Sequence, residues 1–205
     1  MVGAVKGKIY CMKKLMLGNE AFARGLYEAG CKVVSSYPGT PSTEITEAVA
    51  KYDEVYAEWA PNEKVAMEVA LGASIGVTAG MVIAVADDPG MHSSQNEQDS
   101  RHHAIASKTM MIEPSDSGEC KEFAKAAFEL SEKFDVPVIV RLSTRVSHSQ
   151  SAVELCEREE KENIPYEKNI QKYVMMPGNA IRRHPVVEAR MKAIADYAEN
   201  SPLNK

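Results

Sequence analysis

The chain alternates between two hydrophobic patterns, one of helical period and one typical of buried strands. Residues 19–29 carry apolar side chains at helical spacing until Gly30 ends the run, and the β-prone stretch CKVVSSY follows. Short apolar runs bounded by turn residues then alternate with further helical patterns. The pattern predicts strands within EVYAEW, GMVIAVADD, TMMIEPSD and VPVIVRLS, and helices within EITEAVAKY, NEKVAMEVALGASIG, SQNEQDSRHHAIAS and ECKEFAKAAFELSEKF.

This alternation predicts an α/β fold with a doubly wound, mostly parallel sheet and helices on both faces. The run GMVIAVADD is nearly all apolar, which is typical of a strand covered on both faces. The helical segment 62–76 is apolar almost all round, so we expect it to be buried on several sides. Asp116 and Glu119 have the spacing of a capping box at the start of the last of these helices.

The pattern changes near residue 151. Residues 12–150 hold the alternating elements and form one predicted domain. The first part of the segment 151–205 is charge-dense and weakly periodic, so we expect a solvated connection there. The run HPVVEARMKAIADYAE restores helical spacing and predicts a carboxy-terminal helix that docks on the same domain or on a partner.

Composition narrows the possible classes of function. A formal net charge of −5 with a pI near 5.6 disfavours a nucleic-acid partner, because phosphate binding needs a clustered basic face. No apolar run approaches the length of a membrane span and no signal peptide is recognisable, so we expect no membrane partner and a cytoplasmic location. The cysteines lack CxxC spacing and the histidines include only one adjacent pair, so no metal site is predicted.

The expected place for a ligand follows from the fold class. Ligands of open parallel sheets bind beyond the carboxyl ends of the strands. Within the loops that this rule selects, we expect Ser94 and Asn96 to face a substrate. No loop carries GxGxxG or GxxxxGK[ST], so a nucleotide held by this domain alone is not expected. The selected loops are 38–44, 60–63, 87–101 and 144–149.

Two residues of these loops have both a structural and a chemical explanation. Thr40 before Pro41 fits a helix N-cap followed by proline at the first helical position. Glu63 lies in the first turn of a helix, where the macrodipole stabilises a carboxylate. A carboxylate near the end of a buried helix would also be desolvated, and a desolvated Glu63 could share a proton with a ligand nitrogen.

Several long motifs resemble a known family. They are LMLGNEAFARGLYEAGCKVVSSYPGTPSTEI, WAPNEKVAMEVALGAS, VIAVADDPGMHSSQNEQDSRHHA, VIVRLSTRVSHS and AIRRHPVVEAR. Together they resemble the amino-terminal part of the alpha subunit of indolepyruvate ferredoxin oxidoreductase, in the 2-oxoacid ferredoxin oxidoreductase superfamily. The resemblance implies a thiamine diphosphate-binding fold, with residues 12–150 as its pyrimidine-binding domain.

The resemblance also implies roles for individual residues. Glu63 falls on the catalytic carboxylate that hydrogen-bonds N1′ of the aminopyrimidine of thiamine diphosphate. Thr40 falls on the residue that contacts this cofactor or the carboxylate of the 2-oxo acid. Pro38 and Gly39, in the same turn, are expected to line the cofactor site.

The implied reaction is the oxidative decarboxylation of indolepyruvate or another aryl pyruvate to an acyl-CoA, with electrons passed to ferredoxin. The implied partners are a diphosphate-binding domain in cis or in trans, a beta subunit, ferredoxin and coenzyme A. The resemblance also implies that the chain forms a homo-oligomer. Mg²⁺ and iron–sulfur clusters are expected only in regions of the family that this chain lacks.

One departure from the family leaves alternatives open. The family has a further strand and helix after the position of Gly76, and this sequence passes directly across it. A chain without that unit could be a non-catalytic dimerisation or interaction module of the same fold. A decarboxylase with the same split domains and no electron transfer is a further alternative.

Overall fold

A computed structural model describes residues 12–76, 79–162 and 164–204. The strands are β1 (Met12–Leu17), β2 (Val33–Ser36), β3 (Tyr56–Trp59), β4 (Val82–Asp87), β5 (Met110–Ile112), β6 (Val138–Ser143) and β7 (Gln150–Leu155). The helices are α1 (Gly18–Glu28), α2 (Thr43–Val49), α3 (Glu63–Gly76), α4 (Arg101–Ser107), α5 (Ser117–Phe134), α6 (Thr144–His148), α7 (Ile170–Tyr173) and α8 (Pro177–Glu199).

The five predicted strands, β2 to β6, are all present and pair in parallel, which confirms the α/β fold. β6 lies between β4 and β5, so that Val138 is in register with both Val82 and Met110. β2 pairs with β3 in a separate two-stranded sheet, which begins with Val33 opposite Tyr56. Within the described residues, no ladder joins β2 to β4.

Because the sheet is interrupted between β2 and β4, the strands and helices beside the interruption are less buried than predicted. β6, paired on both edges, is buried at every position except its last, whereas β4 is fully buried only at Asp87. The prediction that β4 is covered on both faces is therefore wrong. The prediction that α3 is buried on several sides is also wrong, because only Ala66 is buried, while Met67 and Leu71 remain 50% and 41% exposed. Both errors have one cause, since the sheet does not continue across the region that α3 faces.

The segment after residue 150 is not wholly a solvated connection. β7 pairs antiparallel with β1, from Gln150 opposite Leu17 to Leu155 opposite Met12, and Val153 is buried. The prediction of a solvated connection is therefore wrong for the first residues of the segment. Neither strand was predicted, because β1 has the mixed sequence MKKLML and its partner lies far along the chain.

The predicted carboxy-terminal helix is present as α8, and it docks on the same chain. Ile194 is buried in the main core, and Met191 and Tyr197 pack against that core. Arg183 donates to the carboxylate of Asp135 at 2.9 Å, and this contact fixes the helix beside the end of α5.

The centre of the core is the interface between α1 and α5. The helix predicted within ECKEFAKAAFELSEKF is present as α5 and buries Phe123, Ala127 and Leu130 on one side, and Asp116 caps it by accepting from the Glu119 amide at 2.8 Å. The two helices approach closely at Gly25, where a Cβ would lie 2.4 Å from the carbonyl oxygen of Lys121. Only glycine allows this separation, because a side chain there would collide with backbone.

A buried ionic cluster joins the same two helices to β7. The fully buried carboxylate of Glu28 accepts from Arg24 at 2.8 Å and lies 3.0 Å from the ammonium nitrogen of Lys121, which is also buried. The Cys156 amide donates to the same carboxylate at 2.7 Å. Burial opposes ionisation of Glu28, but the hydrogen bonds from Arg24, Cys156 and Lys121 outweigh it and lower its pKa.

The long loop after β4 is organised by two buried aspartates. Asp87 accepts from both the amide and the hydroxyl of Ser100 at 2.7 Å and pairs with the buried guanidinium of Arg141. Asp88 accepts from the Ser93 and Ser94 amides at 2.6 and 2.7 Å, and from the hydroxyl of Thr144 at 2.8 Å. These bonds fix both ends of the loop against β4 and the start of α6.

We expect Glu28→Gln to lower the free energy of unfolding by about 3 kcal/mol, because it leaves the buried Lys121 ammonium with only the exposed carboxylate of Glu122, at 3.3 Å, as its counter-ion. The matched control is Glu68→Gln, whose pair with Lys64 spans 3.7 Å between side chains that are 61% and 83% exposed. That change should cost less than about 1 kcal/mol. Urea denaturation measures both, and equal costs would contradict the assigned role of the buried cluster.

Asp88 should make the stability of the fold depend on acid pH. Burial alone would raise its pKa, but hydrogen bonds from the Ser93 amide, the Thr144 hydroxyl and Ser94 lower it from 3.8 to about 2. Because the folded pKa is the lower one, the stabilisation is complete above about pH 4 and is lost as the pH falls toward 2. Asp88→Asn should flatten this part of the stability profile, measured by thermal unfolding across that pH range. The exposed Asp53→Asn variant should retain it, and equal profiles for the two variants would contradict the assignment.

Candidate functional site

The turn that follows β2 presents three of the predicted site residues. Pro38, Gly39 and Thr40 are all exposed, and the peptide bond from Thr40 to Pro41 is cis. The prediction that Thr40 is the N-cap of the next helix is wrong, because α2 begins at Thr43. The hydroxyl of Thr40 therefore does not cap the helix α2.

A buried side chain from α1 holds this turn in place. Asn19 is fully buried, and its amide nitrogen donates to the carbonyl oxygen of Pro41 at 2.6 Å and to the carboxylate of Glu44 at 3.0 Å. Within the turn, the Gly39 amide donates to the hydroxyl of Thr43 at 3.0 Å. Asn19 was not predicted as a site residue, because a polar side chain in the first turn of an amphipathic helix is not distinctive in sequence.

Glu63 is the first residue of α3. The carboxamide oxygen of Asn62 accepts from the Val65 amide at 2.9 Å, so the cap of this helix is supplied by Asn62 and the carboxylate of Glu63 is not needed for it. Glu63 is exposed, and no hydrogen bond or ion pair to its carboxylate is found among the described residues. The expected desolvation of Glu63 at a buried helix end is wrong for the same reason that α3 as a whole is exposed.

A cavity of about 810 Å³ brings the two parts of the site together. Gly39 and Thr40 lie at its edge beyond the carboxyl end of β2, and Glu63 lies at the start of the helix that covers one side. Gln98, from the loop after β4, reaches the same cavity. The remaining wall beside Glu63 is formed by apolar side chains of α3, namely Ala66, Met67, Ala70 and Ala73.

The other predicted residues are not among those that line the cavity. Ser94 has its amide bound to Asp88 at 2.7 Å, and Asn96 lies further along the same loop. Pro38 precedes the two lining residues of its turn but does not itself line the cavity. The shape of the 88–100 loop depends on the two aspartates that sequence analysis did not single out, and the adjacent pair DD at the end of an apolar strand was the available signal.

The remaining groups that could carry chemistry do not form a second site in the described part of the chain. Burial raises the pKa of the Cys31 thiol to about 11 and that of Cys120 to about 12, so neither is an activated nucleophile. The described ranges contain no group of three or more potential metal ligands from His, Cys, Asp and Glu. No described helix combines the length and apolar character needed to cross a membrane.

The cavity suits a ligand that combines a flat apolar body with a hydrogen-bonding edge. The carboxylate of Glu63 can accept a proton or a hydrogen bond, Thr40 can donate and accept, and the α3 side chains offer apolar surface between them. An aminopyrimidine ring has these features, since its faces are apolar and its ring nitrogens and amino group lie at its edge. The residues present therefore fit the pyrimidine half of thiamine diphosphate.

Comparison with protein families gives an independent result. The family described as "Pyruvate flavodoxin/ferredoxin oxidoreductase, thiamine diP-bdg" matches residues 78–202. The solved structure of a 2-oxoglutarate:ferredoxin oxidoreductase from Magnetococcus marinus is similar with a TM-score of 0.70 over 90% of this chain and 45% of that one. Its sequence identity is 18%, so this likeness supports the fold alone.

Curated relatives extend the match to most of the chain. The indolepyruvate oxidoreductase subunit IorA of Archaeoglobus fulgidus is 39% identical over 94% of this chain, and that of Thermococcus kodakarensis is 40% identical over 93%. The aligned regions make up 37% and 35% of those two proteins, so the chain spans about a third of their length.

The aligned region is longer than the part of this chain that it contains. It covers 229 positions of the Archaeoglobus fulgidus comparison, whereas 94% of 205 residues is about 193, so about 36 positions of the relative in total have no counterpart here. A strand with its crossover helix is about this size.

With a family match over more than half of its residues, the chain belongs to the thiamine diphosphate-binding domain family of the pyruvate flavodoxin/ferredoxin oxidoreductases.

Proposed function

We propose that this chain supplies the pyrimidine-binding half of the active site of an indolepyruvate:ferredoxin oxidoreductase. The observation that carries the proposal is the convergence of Glu63, Thr40 and Gly39 on one cavity, at the strand ends where this fold binds ligands. The identity of about 40% to IorA subunits supports indolepyruvate, or a related aryl pyruvate, as the substrate.

Glu63 is the proposed catalytic residue. Its carboxylate, at the start of α3, would hold a proton at the ring nitrogen of the aminopyrimidine and so select one tautomer of that ring. Thr40 would orient the cofactor or the substrate carboxylate through its hydroxyl, with the Gly39 backbone beside it. When bound, thiamine diphosphate supplies a carbon nucleophile and an electron sink for decarboxylation of a 2-oxo acid.

The remaining parts of the reaction require partners. We assign the diphosphate, with its Mg²⁺, to a separate domain in cis or in trans, and the iron–sulfur clusters to the same partner region. The acceptor substrates would be ferredoxin and coenzyme A. The chain would associate with further copies of itself and with a beta subunit. We retain Ser94 and Asn96 as proposed substrate contacts that would require the loop to close over the cavity, and Pro38 as a support for the turn.

The non-catalytic interaction module is less well supported. A module that had lost its chemistry would have no need for a carboxylate at Glu63, an exposed hydroxyl at Thr40 and a cavity that both of them line. A decarboxylase without electron transfer uses the same pyrimidine site and would differ only in the absence of a cluster-bearing partner.

Glu63→Gln should lower kcat by roughly 10²- to 10⁴-fold, because it removes the proton-holding carboxylate and preserves side-chain size. The measurement is ferredoxin reduction with indolepyruvate and coenzyme A, after this chain is combined with the remaining portion of the Archaeoglobus fulgidus subunit and its beta subunit. Cofactor binding is followed separately by calorimetric titration of the same assembly with thiamine diphosphate.

The matched control is Glu68→Gln, a change of the same chemistry on the same helix at an exposed position that does not line the cavity. It should leave kcat unchanged. If Glu63→Gln retains the rate of the control, or if the unsubstituted chain binds no thiamine diphosphate in the presence of its partner, the proposed function is wrong.

A further inference from the structure

Gln98 reaches the cavity of the candidate site from the loop after β4. The residue is partly buried, and no hydrogen bond to its carboxamide is found among the described residues. Other polar groups that line the cavity are already engaged. The Ser36 hydroxyl pairs with that of Thr46 at 2.6 Å, and the Ser42 hydroxyl donates to a backbone carbonyl oxygen at 3.2 Å. The carboxamide of Gln98 is therefore available to a ligand as a donor and as an acceptor.

The backbone that carries Gln98 is fixed at the carboxyl end of β4. Two residues after it, Ser100 donates its amide and its hydroxyl to Asp87, the last residue of the strand, both at 2.7 Å. The carboxylate of Asp99 lies 3.7 Å from the buried guanidinium of Arg141, which also pairs with Asp87. A side chain supported in this way by surrounding hydrogen bonds and ion pairs is suited to binding a ligand in one orientation.

A short helix connects this strand end to the turn that carries Thr40. Thr144, the first residue of α6, donates to the carboxylate of Asp88, which follows β4 directly, at 2.8 Å. His148, the last residue of α6, lies 3.7 Å from the carboxylate of Glu44, at the start of α2. Because the four steps from the first to the last residue of α6 span only about 6 Å, the loop after β4 lies beside the turn before α2.

Glu63 lies at the same edge. The Ala60 amide donates to the carbonyl oxygen of Ser36 at 2.8 Å, so the carboxyl end of β3 is next to that of β2. Glu63 follows Ala60 by three residues and begins α3. The cavity-lining residues Thr40, Glu63 and Gln98 thus follow the ends of three different strands, at the edge where this fold binds ligands.

The charges around the cavity indicate which part of a ligand Gln98 can hold. Among the described residues, the basic ones that line the cavity are Lys32 and Lys161. Both belong to the opposite end, because Lys32 directly precedes β2 and donates to the carbonyl oxygen of Lys161 at 3.0 Å. A 2-oxo acid has only acceptors at its reacting end, a carboxylate and a keto oxygen. At the site end these acceptors meet neutral donors, and the carboxamide of Gln98 is one of them.

We propose that Gln98 is a substrate-binding residue whose carboxamide N–H donates to the carboxylate of the 2-oxo acid. The carboxylate is the acceptor assigned to it because hydrogen bonds to an ionised acceptor are the stronger ones. This inference rests on the proposed function and adds a substrate contact to the site of Glu63 and Thr40. Unlike Ser94 and Asn96, Gln98 lines the cavity without any movement of its loop.

The test is Gln98→Met, which removes the donor and keeps a similar side-chain length, in the assembly used to test the proposed function. The KM for indolepyruvate should rise roughly 10- to 100-fold, the factor that corresponds to one hydrogen bond to a charged group. Calorimetric titration with indole-3-lactate, which keeps the carboxylate but lacks the reactive keto group, should show a similar loss of affinity. The KM for coenzyme A and the affinity for thiamine diphosphate should not change.

A second variant, Gln98→Glu, places a like charge against the substrate carboxylate. It should weaken the binding of indole-3-lactate more than Gln98→Met does, and the additional loss should shrink at about 1 M salt because exposed charges are then screened. Equal affinities of the two variants for indole-3-lactate at low salt would overturn the proposal, because Gln98 would then not face the carboxylate.

The matched control is Gln95→Met, in the same loop at an exposed position that does not line the cavity. It should leave all of these quantities unchanged. If the unsubstituted assembly is active and Gln98→Met behaves like this control, the proposal is overturned and the proposed function stands. An equal loss of affinity for thiamine diphosphate in Gln98→Met would also overturn it, because the residue would then contact the cofactor or support the site as a whole. Failure of the unsubstituted assembly to bind thiamine diphosphate would overturn the proposed function and this inference together.

Discussion

The packing of α1 against α5 is the contact on which the rest of the structure depends. In a continuous parallel sheet, backbone pairing would join all the strands, but here the ladder is interrupted between β2 and β4. Helix packing must therefore hold the two sheets together. Gly25 permits the close approach of the helices, and the buried pair of Glu28 and Lys121 connects them. β2 is attached through the α1 and α2 side of this interface, and β4 through α5.

The same constraint explains the position of the candidate site. α1 carries Asn19, whose amide fixes the turn that contains Thr40, so the packing of α1 sets the place of that turn. α3, which carries Glu63, lies over β2 and borders the interruption of the sheet. The polar site residues and the apolar residues of β2, α3 and β4 consequently line one cavity.

Features that depend on local sequence could be predicted, and those that depend on distant neighbours could not. The helical stripe of α5 and its cap at Asp116 were read from spacing alone, because both are set within a few residues. The loops that hold Glu63 and Thr40 could be selected because strand ends are recognisable in sequence, whereas the roles of the two residues came from the family resemblance. The exposure of α3 could not be predicted, because an apolar helix is buried only if a neighbouring element covers it. The pairing of β1 with β7 and the control of the 88–100 loop by Asp88 likewise depend on contacts between distant segments.

The central claim is that the sheet of this chain is divided beside its candidate site. Residue-resolved amide hydrogen exchange of the purified chain alone tests it most directly, because a strand paired on one edge leaves alternate amides open to solvent. The account predicts uniformly slow exchange along β6, and alternating slow and fast exchange along β4, with β2 behaving like β4. Uniform protection of β4 and β2 at the level of β6 would contradict the account, because it would show that both strands are paired on both edges.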